Sequence, residues 1–114
     1  MQDNSLYSTN AQLYFYMAQD RNFSEECQLM INTHSKVFSH ATLVSSLELF
    51  AGPAYHSACL ADDFSIEISC IDASVEMRDI ALSHYSINDN QYDVGLLPNC
   101  LKYDKKYDLI IMNN

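Results

Sequence analysis

The sequence predicts an α/β domain built on a mostly parallel sheet with helices on both faces. Three observations carry this reading. From residue 43 onward the segments alternate as β-α-β-α-β-loop-β, the order in which crossovers join parallel strands. A short apolar strand ends in Glu48, and a lone Gly52-Pro53 turn then opens a new helix. That is how an open α/β sheet offers a ligand its loop, because glycine lets backbone approach where a side chain would block it. A second strand, IEISCID, also ends in an acid, Asp72, about 20 residues after Gly52, a spacing typical of nucleotide-binding folds.

The elements follow in order. Residues 1–40 form an N-terminal helical segment, polar and aromatic at first, with Tyr7, Tyr14, Phe15 and Tyr16. Ser24-Glu25-Glu26 reads as a helix start, a capping serine followed by first-turn acids that the helix dipole favours. Cys27, Ile31, His34 and Phe38 recur at helical spacing and mark its packed face. Strand one is Leu43 to Phe50, and its helix begins near Pro53, whose missing N–H suits a first helical position. Strand two is Ser65 to Ile71. Ser74 caps the following helix, with Met77, Ile80, Ala81 and His84 inward. Ile87 to Gln91 is a polar turn, Tyr92 to Leu97 a third strand, Pro98 to Lys106 a loop, and Leu109 to Met112 a fourth strand.

A chain of 114 residues suffices for one domain with a modest core, and 48% hydrophobic residues with 18% charged is a globular balance. Six Lys and Arg stand against 15 Asp and Glu, a formal charge of −9. This is the wrong sign for neutralising phosphates, so nucleic acid and anionic membranes are disfavoured partners. Cys27, Cys59, Cys70 and Cys100 have neither zinc-site spacing nor a clear disulfide framework, and no metal site is read. Without a signal segment or an apolar run of spanning length, a cytoplasmic setting is expected.

Glu48-Leu49-Phe50-Ala51-Gly52, followed by Pro53-Ala54-Tyr55-His56-Ser57, resembles the first motif of the class I S-adenosylmethionine-dependent methyltransferases, acid-x-x-x-Gly around the first strand and turn. Asp72 at the end of strand two extends the resemblance, and Tyr107-Asp108-Leu109-Ile110-Ile111 is similar to the family's fourth strand with its aromatic-Asp opening. The match runs from Leu43 to Asn114. It implies a Rossmann-like domain, incomplete relative to the family's seven-stranded sheet, with S-adenosylmethionine as cofactor.

The resemblance implies a role for each of several residues. Glu48 would meet the cofactor's methionyl amino group, directly or through water; the alternative is a carboxylate that braces the loop. Gly52 would allow close backbone approach, with Phe50 beside it, or else serve as a plain turn. Further glycines usual in this loop are absent; Pro53 and Ala54 stand where flexibility is common. Asp72 would accept from both ribose hydroxyls, a geometry a carboxylate matches, or else cap the next helix. Ala73 and Met77 would line an adenine slot, Met77 being equally suited to the core. Relatives often carry Asp where this chain has Leu96, so adenine would be held by backbone groups and apolar contact, with Asp93 on the wrong side of Gly95.

No catalytic residue is assigned. His56 and Ser57 are adjacent on a helix, so they point apart, and no third orienting acid is visible in the sequence. His34, His40 and His84 lack metal spacing, and Asn113 and Asn114 stand where the family's substrate-facing motif begins. The expected function is methyl transfer to an unidentified acceptor by the cofactor-binding portion of such an enzyme. The alternative is a non-catalytic remnant or assembly module that keeps cofactor affinity. A nicotinamide-dependent dehydrogenase fits less well, because G-x-G-x-x-G is absent. Since strand four is internal in the resembled fold, a completing segment, a second subunit or self-association is expected at its outer edge.

Overall fold

The computed structural model describes residues 21–39, 41–85, 87–101 and 104–112. Helix α1, Phe23–Val37, begins two residues earlier than Ser24 suggests. Its cap is Asn22, whose side chain accepts from the Glu25 amide at 3.0 Å, with Glu25 and Glu26 in the first turn. Cys27 and His34 face inward as expected, but Phe38 is 53% exposed just past the helix end.

Strand β1 is Ser45–Leu49, shorter than the apolar run, because Phe50 turns the chain out of the strand at φ 54°. Helix α2, Tyr55–Phe64, starts after Ala54, and Pro53 belongs to the loop. Strand β2, Glu67–Asp72, leads to helix α3, Val75–His84, where the Ser74 hydroxyl accepts from the Met77 amide at 3.1 Å. Met77, Ile80 and Ala81 pack inward while His84 is exposed. A single 3₁₀ turn, Asp89–Gln91, enters β3, Tyr92–Val94, which stops short of Leu97. Strand β4 is Leu109–Met112.

The four strands form one parallel sheet in the order β3-β2-β1-β4. The crossovers through α2 and α3 step the same way across the sheet, so right-handedness puts both helices on one face. Cys27 of α1, Ala58 and Leu60 of α2 and Ala81 of α3 meet Ile68, Cys70 and Ile111 of the strands in one apolar core. The α/β Rossmann-like class is thus the observed one, but among the described residues α1, α2 and α3 all pack on one face, where the sequence reading expected helices on both. At the opposite end of the sheet Asp108 takes the amides of Val44 and Ser45 at 2.8 and 3.0 Å, which fixes β4 beside the start of β1. Those two N–H groups hold its carboxyl below the usual carboxylate range. Strand order reverses at the β1/β4 boundary, and in open α/β sheets the crevice at the carboxyl ends beside such a reversal is where ligands bind. Among the described residues no helix is long and apolar enough to cross a membrane.

Candidate cofactor site

The chain leaves β1 through a loop with alternating left-handed residues: Phe50 at φ 54°, Gly52 at 57° and Ala54 at 62°. Only Gly52 adopts this backbone without steric penalty, so the loop shape is imposed by its surroundings. The contacts are specific. Ala51 donates to the Ile71 carbonyl at 2.9 Å, and the Gly52 amide donates to Oδ2 of Asp72 at 2.9 Å. The Gly52 carbonyl accepts from the Tyr92 hydroxyl at 2.5 Å, and Ala54 donates back to Ala51 at 2.9 Å. Burial of the Tyr92 phenol, then the nearby Asp72 carboxylate, push its pKa strongly upward, so it stays a donor.

Asp72 is partly buried at the end of β2. Its Oδ1 accepts from the Ser74 amide at 2.9 Å, and its own carbonyl accepts from Gly95 at 3.0 Å. The capping task weighed against the ribose role falls to Ser74, and Asp72 instead braces the loop by holding the Gly52 and Ser74 amides. The two roles are compatible. A carboxylate offers about four lone-pair sites, and Gly52 and Ser74 take one on each oxygen.

Behind the loop lies Glu48, 1% exposed. Its Oε1 accepts from the amide and hydroxyl of Ser57 at 3.2 and 2.7 Å, and its Oε2 lies 3.7 Å from Nδ1 of His56. Nε2 of the same imidazole lies 2.7 Å from Oε1 of Glu26 on α1. The acids missing from the sequence reading of His56 are thus Glu26 and Glu48. The residues still form no nucleophilic triad, because the Ser57 hydroxyl donates to Glu48 and not to the imidazole. Glu26 stands next to buried Cys27 in an exposed-looking first turn, and nothing in the sequence separates it from Glu25.

The other candidates divide between surface and core. Phe50 is half-exposed and Ala73 is exposed beside Asp72, whereas Met77 is fully buried with Tyr55 and Ile80 and supports the site from beneath. Val75, Val94 and Leu96 are exposed at or beyond the carboxyl ends of β2 and β3, as Phe50 is beyond that of β1, and of these only Phe50 and Leu96 were signalled in the sequence. Tyr7, Tyr14, Phe15, Tyr16, His40, Asn113 and Asn114 lie outside the described residues.

No protein-family model and no curated protein sequence matches the chain. Solved structures do. The plantazolicin methyltransferase BpumL, in complex with a pentazolic desmethylPZN analogue and SAH, is similar over 87% of this chain and 38% of its own, with a TM-score of 0.72 and 19% identity. DesVI of Streptomyces venezuelae is similar over 93% of this chain and 42% of its own, with a TM-score of 0.69 and 14% identity. The chain shares the fold of these proteins and spans about two-fifths of their length.

Proposed function

We propose that this chain is the cofactor-binding portion of an S-adenosylmethionine-dependent methyltransferase acting on an unidentified acceptor. The observation that carries the reading is the loop at the carboxyl end of β1, with three alternating left-handed residues clamped by the acid that ends β2. A loop of this shape turns backbone toward the crevice. Methyl transfer suits such a site because the cofactor supplies the electrophilic methyl and the protein supplies chiefly binding and alignment.

In this reading Gly52 and Phe50 bear on the methionyl end and Asp72 on the ribose. Ala73 faces the adenine, with Val75, Val94 and Leu96 beside it and Met77 as its floor. Glu48 acts from behind the loop, on the amino group through water. The structure of BpumL was solved with SAH, which supports the choice of cofactor by likeness of fold.

Calorimetric titration with S-adenosylmethionine, S-adenosylhomocysteine and NAD tests the proposal. Saturable binding of the first two and none of NAD is expected. NAD binding, or no binding of any of them, overturns it. Binding without methyl transfer to any amine, hydroxyl or thiol acceptor would favour the non-catalytic module instead. Asp72→Ala should weaken S-adenosylhomocysteine by at least about tenfold, since a hydrogen bond to a charged group is worth about 1.5–3 kcal/mol. Unchanged affinity in that variant would remove the ribose assignment.

A further inference from the structure

The rear wall of the loop carries a run of polar groups of which the proposed cofactor contacts engage only Glu48. Arg21 pairs with Glu26, Glu26 meets Nε2 of His56 at 2.7 Å, Nδ1 of His56 faces Glu48 at 3.7 Å, and Glu48 holds Ser57. The His56 side chain is 3% exposed. A neutral imidazole has one N–H, so it can donate to only one of two flanking carboxylates, whereas the imidazolium donates to both. Phe23 packs edge-on against the ring at 5.1 Å and stacks on Tyr55 at 4.3 Å, so the first turn of α1 is seated on the first turn of α2.

We infer that His56 is a positioning residue: as an imidazolium shared by Glu26 of α1 and Glu48 of β1, it fixes the carboxylate that holds Ser57, and with it the start of α2, against the Gly52 loop. Among the described residues the titratable groups facing it are Glu26, backed by Arg21, and Cys27 from α1, and Glu48 from β1. Cys27, whose thiol donates to the His56 carbonyl, is pushed up to about 12 by burial and stays neutral throughout. Burial opposes charge on His56, but the bonds to Glu48 and Glu26 outweigh it and the net direction is upward from 6.5. The device is therefore set below pH 6.5 and released as pH rises through the raised value.

Hydrogen-exchange protection of the Gly52 and Ser57 amides in the cofactor-free full chain, corrected for intrinsic rates and followed upward from pH 6.5, tests this. In the parent, protection should fall about tenfold across one titration step while the Glu67 amide, bonded to the Val44 carbonyl, stays protected. His56→Gln should show low protection and no step. Glu26→Gln, at a partly exposed position, should keep the step but move it to lower pH, because one of the two carboxylates that favour the charge is gone. A parent without a step, a His56→Gln variant with the parent's profile, or a Glu26→Gln step at the parent's pH overturns the inference. If His56→Gln does not fold, the Glu26→Gln step decides alone. A second arm rests on the proposed function: S-adenosylhomocysteine affinity should follow the same profile. A parent that shows the step yet binds no S-adenosylhomocysteine keeps the inference and removes the cofactor reading.

Discussion

The Tyr92 hydroxyl and the Gly52 carbonyl, 40 residues apart, meet at 2.5 Å beneath the carboxyl ends of the strands. With the Asp72 carboxylate on the Gly52 amide, both polar groups of this one residue are held by different neighbouring strands. The turn is therefore a rigid corner of the sheet.

Tyr92→Phe should lower stability by about 0.5–1.5 kcal/mol, the net value of one hydrogen bond, and somewhat more because a buried carbonyl is left unpaired. Urea unfolding measures it. An unchanged midpoint would show that water replaces the phenol.

Phe50→Gly separates backbone strain from ligand contact. A non-glycine residue in the left-handed region costs about 1–2 kcal/mol, partly offset by glycine's greater freedom when unfolded, so the variant should gain up to about 1 kcal/mol. Affinity for S-adenosylhomocysteine should fall if the half-exposed ring bears on the methionyl end as proposed. A variant that is more stable and binds equally well would confine Phe50 to a structural role.

Stability should decline at both ends of the pH scale for different reasons. Asp108, held by backbone N–H groups, and Glu26, held chiefly by Arg21, both have folded values below their ordinary 3.8 and 4.5. Their contributions are present above those ordinary values and are lost as pH falls through the folded ones. His56 has the opposite sign: its contribution is full below 6.5 and is lost as pH rises through its raised folded value. Urea midpoints across pH should trace both limbs. Asp108→Asn should flatten the acid limb and leave the alkaline one unchanged.

Strand β4 pairs with β1 on one side and is the last strand in the sheet order. Ile110 and Met112 are 58% and 63% exposed, and an apolar groove of about 520 Å³ lies alongside, lined by Leu29, Met30, Val37, Phe38 and Leu109. Apolar edges of this kind invite pairing. Light scattering should rise with concentration, and Ile110→Lys should suppress the rise. A parent that stays monomeric at every concentration would remove this expectation.

Much of this was legible in the sequence, for physical reasons. The strands of a parallel sheet are short apolar runs, and Glu48, Gly52 and Asp72 punctuate them at sites where only a few residue types serve. Helix α3 was readable from Ser74 because a cap and its periodic face are local features. Tertiary context hid the rest. Phe50 is a good strand residue, so nothing local announces that it turns the chain, and Ala54 likewise gives no sign of positive φ. Asn22 outcompetes Ser24 as a cap two residues upstream, a choice both sequences of side chains permit. The carboxylates around His56 come from α1 and β1, 30 and 8 residues away in sequence, and only the packed fold brings them together.

The left-handed loop also bears on the order in which the chain assembles. Its shape rests on bonds to residues 20 and 40 positions downstream, and two of its three left-handed residues have no intrinsic preference for that backbone. An excised peptide spanning Glu48 to Ala58 would spread over ordinary right-handed and extended conformers. The Gly52 corner is therefore completed only once β2 and β3 have docked, late in folding, after the long-range closures have been made.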